Sequence, residues 1–321
     1  YGTSIAQGGC ASRPGMAWPA ILERKLDRPV INLGFSGNGR LEKEVIQLIN
    51  DVEAKLIVLD CLPNMSPGRF ETEETCRRIV QSVLQIREKH PRTPVLLVDH
   101  AGYGDAAMDS RRKAIYTGLN ALQQKAYADL LEQGVDHLYY LSREKLYLDA
   151  NSFVDGTHPT DLGMMQYASA VEQAIREILQ APSGSYSTTK PVRQLREPRN
   201  YDWEKRHEEI VMLNRKDSPE VCFLGNSIVH FWGGEPAGPQ SRGKESWDDL
   251  FSGVQVRNMG FGWDRIENVL WRVNHDELDG FNARQILLKI GTNNLHLNSD
   301  EEIVAGLELL IQTIQQKQPE S

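Results

Sequence analysis

The chain opens with Tyr1-Gly2-Thr3-Ser4-Ile5-Ala6-Gln7-Gly8-Gly9, and a partial echo of this stretch lies at Phe223-Leu224-Gly225-Asn226-Ser227-Ile228-Val229. Both copies contain Gly-x-Ser-Ile. A serine among small residues is usually part of a turn, so the first copy alone would indicate little. Because the pattern recurs, we interpret Ser4 as a nucleophile and Ser227 as its counterpart.

Each serine is followed by a glycine and then an asparagine at a regular interval. Gly34 and Asn64 follow Ser4 at steps of 30 residues. The second set has steps of 33 residues and comprises Ser227, Gly260 and Asn293. All of these landmarks except Ser4 directly follow a predicted strand. In an open α/β sheet the carboxyl ends of the strands meet at one edge, so we expect each set to converge there.

Short apolar runs alternate with longer amphipathic segments along the chain. Strands are predicted at 30–33, 55–60, 94–99, 135–141, 220–224, 254–257 and 286–290. Helices are predicted at 14–28, 41–52, 71–90, 110–133, 162–179, 202–216 and 301–316. This alternation is typical of βαβ units with a parallel sheet, and the continuous apolar strands predict helices on both of its faces.

The composition changes between the two sets of landmarks. Residues 181–199 are rich in Pro, Ser, Gly and Thr and have no apolar period. We therefore predict a first domain at 1–182, a linker at 183–200 and a second domain at 201–321. Such a linker can also lie along a domain surface.

Both units resemble SGNH (GDSL-type) hydrolases. In that family the serine comes from a Gly-Asp-Ser block, a glycine follows the second strand, an asparagine follows the third, and an Asp-x-x-His lies late in the domain. The matching positions here are Gly2-Thr3-Ser4, Gly34, Asn64 and Asp155-Gly156-Thr157-His158 in the first unit, and Gly225-Asn226-Ser227, Gly260 and Asn293 in the second. Thr3 and Asn226 replace the aspartate of the family block.

The resemblance implies a flavodoxin-like three-layer α/β/α fold with a central parallel sheet, present in two copies in tandem. In that fold the nucleophile follows the central strand, yet Ser4 has no room for one. The second unit also ends before any Asp-x-x-His. We therefore expect that both units are truncated parts of a longer polypeptide.

The chemistry of ester hydrolysis fits these residue types. A serine hydroxyl needs an adjacent base, and Asp155 is spaced to hold the Nδ1 of His158 so that Nε2 faces Ser4. The backbone N–H groups of Ser4 and Gly34 and the side-chain amide of Asn64 would donate to the oxyanion. Glycine suits position 34 because a Cβ would crowd the substrate. Taken one at a time, Gly34 could be a turn residue, Asn64 a loop cap and His158 an ordinary surface histidine. Because all of them occur in the order that one mechanism requires, a hydrolase site is favoured.

Composition excludes several other classes of function. A net charge of −8 argues against nucleic-acid binding, and no apolar run reaches the roughly 18 residues of a membrane span. The four cysteines form no C-x-x-C pair, so we interpret them as buried free thiols. The Gly-rich stretch at 35–39 lacks the lysine of a phosphate-binding loop. We expect no metal and no organic cofactor.

The sequence therefore predicts a serine esterase acting on small acyl esters, with acetyl groups on carbohydrate as the substrate that the resemblance favours. An O-acyltransferase would use the same site, and the second unit could serve only as a substrate-binding module. Its His230, Trp232 and Trp263 could stack on a sugar or pack in the core, and neither His275 nor His296 is placed as a base. The resemblance implies a secreted or periplasmic protein, with a cytoplasmic one as the alternative.

Overall fold

The computed structural model describes residues 1–195 and 200–321, which divide into two compact units, Tyr1–Ile178 and Leu179–Ser321. Residues 196–199 of the predicted linker lie outside the described residues. Residues 183–195 belong to the second unit, where buried Thr188 donates a hydrogen bond to the carbonyl of Glu302. The predicted linker is thus part of the second unit over these residues, while the domain limits at 182 and 201 stay a prediction.

A parallel sheet forms the centre of the first unit. Its strands are β1 (Ile57–Leu59), β2 (Val95–Val98) and β3 (Leu138–Leu141), in the order β1-β2-β3. Ile57 pairs with Val95, which in turn pairs with Leu138. All four residues of β2 are buried, as expected for an internal strand covered on both faces.

Gly2 extends this sheet beyond β1. It forms a parallel bridge to Asp60 on one side and to Gly34 on the other. Its N–H donates to the carbonyl of Leu33, and its carbonyl accepts from the N–H of Phe35. A single bridging residue therefore lies two positions before Ser4, and the described residues form no regular strand there, as the sequence predicts.

The strand predicted at 30–33 is not formed as a regular strand. Gly34 makes a single bridge to Gly2, and Ile31 is 62% exposed. An apolar run favours a strand only where a neighbouring strand supplies several partners. The hydrogen bonds that Leu33 and Phe35 make to Gly2 are too few for a ladder.

Six helices accompany the first sheet: α1 (Ser4–Gln7), α2 (Trp18–Leu26), α3 (Lys43–Ile49), α4 (Thr72–Lys89), α5 (Ser110–Glu132) and α6 (Asp161–Ile178). Helix α2 packs against α6, and α4 packs against both α3 and α5. Helix α4 buries Ile79, Val83 and Ile86 completely, at the spacing that places apolar residues on one helical face.

The second unit has its own parallel sheet. Its strands are β4 (Val221–Gly225), β5 (Val256–Gly260) and β6 (Gln285–Lys289), in the order β5-β4-β6. Its helices are α7 (Trp203–Lys216), α8 (Ser227–His230), α9 (Lys244–Leu250), α10 (Ile266–Arg272) and α11 (Asp300–Lys317). The central strand β4 ends just before Ser227, as the prediction for the nucleophile requires.

Parallel strands with flanking helices confirm the predicted α/β class. Within the two described ranges, no helix combines the length and the apolar character needed to cross a bilayer.

Candidate active site

Three residues of the first unit form a continuous chain of hydrogen bonds. The Oγ of Ser4, at the start of α1, lies 2.8 Å from Nε2 of His158. Nδ1 of the same ring lies 2.7 Å from Oδ2 of Asp155. The structure therefore brings the Ser4 hydroxyl to an imidazole and a carboxylate that lie about 150 residues later in the sequence, in the order that an activated serine requires.

The carboxylate of Asp155 is fixed by the turn that it begins. Its Oδ1 accepts hydrogen bonds from the backbone N–H groups of Thr157 at 2.9 Å and of His158 at 2.7 Å. Desolvation raises the pKa of this carboxyl, but the hydrogen bonds from His158 and Thr157 outweigh it and lower the pKa to about 2. Asp155 is therefore ionised near neutral pH and can hold the imidazole in one orientation.

A second layer of contacts supports the same turn. Arg112 places one guanidinium nitrogen 2.8 Å from each carboxylate oxygen of Asp105, and its other terminal nitrogen lies 3.4 Å from Oγ1 of Thr157. The N–H of Gly104 donates to the carbonyl of Gly156 at 2.9 Å. The sequence analysis missed Arg112, since no motif links it to the Asp-x-x-His turn.

The two landmark glycines share a structural role, which for Gly34 differs from the predicted crowding of a substrate. A Cβ on Gly34 would lie 2.2 Å from the backbone nitrogen of Gln7, and one on Gly260 would lie 2.2 Å from that of His230. Glycine is needed because the strand end packs against the backbone of the nucleophile helix. Crowding of a substrate is not the reason that the contacts give.

An asparagine two residues before each glycine also escaped the sequence analysis. Asn32 Oδ1 accepts the N–H of Gly34 at 3.0 Å, and Asn258 Oδ1 accepts that of Gly260 at 2.9 Å. The repeated Asn-x-Gly pattern is the signal that could have revealed them. In this structure the N–H of Gly34 is therefore engaged, and it could serve an oxyanion only by sharing or exchanging that bond.

The third landmark has the same environment in both units. The side-chain amide of Asn64 donates to the carbonyl of Asn38, and that of Asn293 donates to the carbonyl of Asp264 at 2.8 Å. Each acceptor lies four residues after the landmark glycine. One amide hydrogen of each asparagine is thereby fixed, and a primary amide has a second one to offer.

The residue before each serine caps the nucleophile helix. Thr3 Oγ1 accepts the N–H of Ile5 at 3.3 Å, and Asn226 Oδ1 accepts the N–H of Ile228 at 3.1 Å. Threonine and asparagine are both favourable N-cap residues. Thr3 and Asn226, which replace the family's aspartate, therefore both cap the helix that follows.

The second unit does not complete the catalytic set. Within its described residues, 179–195 and 200–321, no histidine is hydrogen-bonded to the hydroxyl of Ser227. His230 is 1% exposed and its Nδ1 accepts the N–H of Gly262 at 3.0 Å. Burial lowers the pKa of His230 to about 3. His275 stacks on Trp271 with ring centroids 3.7 Å apart, so both histidines have structural roles.

The aromatic residues near Ser227 divide into two groups. The Trp232 ring packs against Phe223, Trp247 and Phe251, and its indole N–H donates to a serine hydroxyl. Trp263 is 40% exposed and lies three residues after the landmark glycine. The predicted stacking on a sugar is therefore compatible with Trp263 rather than with Trp232 or the buried His230.

The cysteines depart from the prediction at one position. Cys61 and Cys222 are buried free thiols, as expected, and Cys76 is half-buried. Cys10, however, is exposed, and it lies beside the Asp155–His158 pair. Its position depends on the tertiary fold and could not be read from cysteine spacing.

Comparison with known proteins identifies the family. A model of the GDSL-like lipase/acylhydrolase family matches residues 1–176 of the 321. The chain belongs to this family. The family predicted from the serine, glycine, asparagine and Asp-x-x-His motifs is thereby confirmed.

Individual relatives agree with this assignment. Human platelet-activating factor acetylhydrolase IB subunit alpha2 is 33% identical over 119 residues, which are 37% of this chain and 48% of that protein. Bovine subunit alpha1 is 29% identical over 119 residues, 37% of this chain and 47% of that protein. The chain thus spans about half the length of the curated relatives that it matches.

Solved structures show the same fold. The crystal structure of a putative GDSL-like lipase from Bacteroides ovatus has a TM-score of 0.52 and 37% identity, covering 56% of this chain and 52% of that one. Salicylyl-acyltransferase SsfX3 from a tetracycline biosynthetic pathway has a TM-score of 0.50 and 23% identity, covering 56% and 54%. The second likeness shows the fold alone.

Proposed function

We propose that the first unit is a serine esterase that works through an acyl-Ser4 intermediate. The observation that carries this proposal is the unbroken chain of hydrogen bonds from the Ser4 hydroxyl through His158 to Asp155, at 2.8 and 2.7 Å. Membership of the GDSL-like lipase/acylhydrolase family supports ester hydrolysis as the reaction.

In this mechanism His158 Nε2 takes the proton of Ser4 Oγ as the oxygen attacks the ester carbonyl. The ionised Asp155 holds the ring and stabilises the imidazolium that forms. Collapse of the tetrahedral intermediate breaks the bond to the alcohol oxygen, which receives the proton from Nε2. Water then attacks the acyl-serine by the same route in reverse, which releases the carboxylic acid and restores the hydroxyl.

The oxyanion of the tetrahedral intermediate needs hydrogen-bond donors. Ser4 stands at the first position of α1, where a helix offers no acceptor for the backbone N–H. Asn64 has a second amide hydrogen beside the one it gives to Asn38. We assign these two groups as donors, with Gly34 as a third if its bond to Asn32 is shared. One such donor contributes about 3–4 kcal/mol to lowering the barrier.

For the substrate we propose a small acyl ester, with acetyl as the acyl group. The relatives whose names describe acetylhydrolases support acetyl. A carbohydrate as the alcohol rests on the family resemblance and on the exposed Trp263 of the second unit. Secretion or export to the periplasm is proposed on the same resemblance.

For the second unit we propose a substrate-binding role, within the described residues. It keeps the positions of Ser227, Gly260 and Asn293 and lacks a histidine bonded to the serine. Transfer of the acyl group to a sugar hydroxyl would use the same acyl-Ser4. Acetate release in the absence of an added acceptor would favour hydrolysis over that alternative.

The test compares matched serine variants on p-nitrophenyl acetate. We expect Ser4→Ala to lose more than about 10⁴-fold in kcat, since the nucleophile and its base act as a unit. Ser227→Ala should retain the activity of the unmodified chain. Full activity in Ser4→Ala together with loss in Ser227→Ala would show that the first unit is not the working site.

A further inference from the structure

The loop that follows the nucleophile helix lies directly against the catalytic imidazole. The N–H of Gly9 donates to the carbonyl of Ser4 at 2.7 Å, and a Cβ at Gly9 would lie 3.0 Å from Cδ2 of His158. The next residue, Cys10, is exposed and has a left-handed backbone with φ of 66°. This geometry places a free thiol at the edge of the catalytic site.

Three different ligand types meet at this edge. Cys10 Sγ, a carboxylate oxygen of Asp155 and a ring nitrogen of His158 all lie within 4.8 Å of one another. Zinc binds sulfur, nitrogen and oxygen donors at about 2.3, 2.0 and 2.1 Å, so a tetrahedral site separates its donors by about 3.4–3.6 Å. Closing from 4.8 Å requires side-chain rotation, which exposed Cys10 and Asp155 have room to make.

We propose that Cys10, Asp155 and His158 form an inhibitory site for a thiophilic divalent cation, with Zn²⁺ as the chemical type. Three protein ligands leave a fourth tetrahedral position for water. Binding of this kind goes beyond the proposed esterase function, and only its effect on activity rests on that function.

The coordination step is balanced without any change in oxidation state. The thiol of Cys10 loses its proton to solvent, and a Zn–S bond forms in place of the S–H bond. The neutral imidazole gives a lone pair, and the ionised carboxylate gives an oxygen.

Metal binding interrupts the proton relay whichever ring nitrogen it takes. Coordination through Nε2 removes the acceptor that lies 2.8 Å from Ser4 Oγ. Coordination through Nδ1 replaces the hydrogen bond to Asp155 at 2.7 Å. In either arrangement His158 can no longer accept the serine proton.

The donor set also selects the type of cation. Magnesium and calcium prefer oxygen ligands, and this cluster offers only one carboxylate. Thiolate and imidazole together favour zinc and its chemical relatives. Mg²⁺ is therefore the negative control for the site.

Binding is tested directly, without reference to activity. Co²⁺ added to the chain should give thiolate-to-cobalt charge-transfer absorption, and equilibrium dialysis should show one Zn²⁺ per chain held in excess of Mg²⁺. In Cys10→Ser the absorption should vanish and zinc affinity should fall at least about tenfold, since even an outer-shell partner is worth about 10–100-fold. Cys76→Ser, which removes a half-buried thiol, should behave as the unmodified chain does.

Inhibition is measured as the ratio of activities with and without Zn²⁺ for each variant, with reversal by EDTA. We expect strong inhibition in the unmodified chain and in Cys76→Ser, and at least about tenfold less sensitivity in Cys10→Ser. Absence of zinc binding, or binding that Cys10→Ser leaves unchanged, would overturn the proposal. If the chain binds zinc through Cys10 but has no esterase activity, the site stands and the proposed function falls.

Discussion

The two serines of this chain occupy the same frame, but among the residues that the structure describes only Ser4 is hydrogen-bonded to an imidazole. In both units a residue that caps the nucleophile helix precedes the serine, and a glycine packs against that helix at 2.2 Å. In both, an asparagine amide donates to the carbonyl four residues after the glycine. Only Ser4 has a histidine within hydrogen-bond distance among the described residues.

The difference shows that the catalytic set consists of two separable parts. The serine and glycine positions are held at the sheet, by β4 and β5 in the second unit and by single parallel bridges of Gly2 and Gly34 in the first. The base lies on a separate turn before α6, with Asp155 and His158 braced by Arg112 and Asp105. The second unit keeps the serine, glycine and asparagine frame without a histidine bonded to the serine among its described residues.

In the second unit, buried ion pairs hold the loop that accepts the Asn293 amide. Asp264, whose carbonyl receives the Asn293 amide, accepts from the guanidinium of Arg272 at 2.9 Å, and both side chains are fully buried. Arg272 also pairs with buried Glu277. In the first unit the position of Asp264 is taken by Asn38, in an exposed Gly-rich loop.

Among the variants that follow, the largest loss of kcat is expected from a substitution at Asp155. Asp155→Asn keeps the shape of the side chain but presents an amide to the imidazole, which favours the wrong tautomer. We expect kcat to fall about 10⁴-fold. Steady-state kinetics on p-nitrophenyl acetate measures this, and a loss below tenfold would mean that His158 is not oriented by this carboxylate.

The oxyanion donors give the next largest effect and a matched control. Asn64→Ala should lower kcat by about 10²–10³-fold, because it removes a donor from the transition state. Asn293→Ala removes the same hydrogen bond to a loop carbonyl in the second unit and should leave kcat unchanged. Equal losses in the two variants would indicate a structural role for both asparagines.

The folding stability of both units should fall as the pH falls, because each unit contains a buried neutral histidine. Burial lowers the pKa of His100 and of His230 to about 3, and each Nδ1 accepts a backbone N–H. An unfolded histidine has a pKa of about 6.5, so between these values only the unfolded chain binds the proton and stability falls as the pH falls. From pH 6.5 to 5 each histidine should cost about 2 kcal/mol.

Urea unfolding at the two pH values measures this stability loss. His100→Asn and His230→Asn should each remove the pH dependence that the replaced histidine contributes. The Oδ1 of asparagine lies near the Nδ1 that accepts the N–H, and it does not titrate. A pH dependence that neither variant changes would contradict the burial of these rings as neutral imidazoles.

The smallest effect concerns the brace behind the catalytic turn. Arg112→Met keeps the length of the side chain but loses the contacts to Asp105 and Thr157. We expect kcat to fall about tenfold with KM unchanged, because small misplacements of a catalytic group slow the reaction without weakening binding. A change confined to KM would place Arg112 in substrate binding instead.

The sequence was sufficient to predict the landmark residues that occur in both units. Regular steps of 30 and 33 residues identified the landmarks Gly34, Asn64, Gly260 and Asn293. The structure brings the two glycines to one kind of environment and the two asparagines to another. The Asp-x-x-His turn was equally visible, since local spacing links Asp155 to the imidazole. Their catalytic roles remain predictions that the variants above test.

The sequence was insufficient where tertiary contacts decide. Helix α10 (Ile266–Arg272) was not predicted because all seven of its residues are buried, the polar Glu267, Asn268 and Arg272 included. An amphipathic period, which distinguishes an exposed face from a buried one, is therefore absent. Arg112 and Cys10 reach the catalytic turn only through the fold. The prediction of a strand at 30–33 was wrong for a different reason. The apolar run is present, but Gly34 beside it makes only one bridge, so no ladder of strand hydrogen bonds forms.

The separation of the two serines can be tested most directly by covalent labelling. Diisopropyl fluorophosphate reacts with a serine only when an adjacent base activates its hydroxyl. We predict that peptide mass mapping of the treated chain will find one phosphoryl group on Ser4 and none on Ser227, with labelling lost in His158→Gln. Labelling of Ser227, or an unmodified Ser4 in a chain that hydrolyses p-nitrophenyl acetate, would contradict the account.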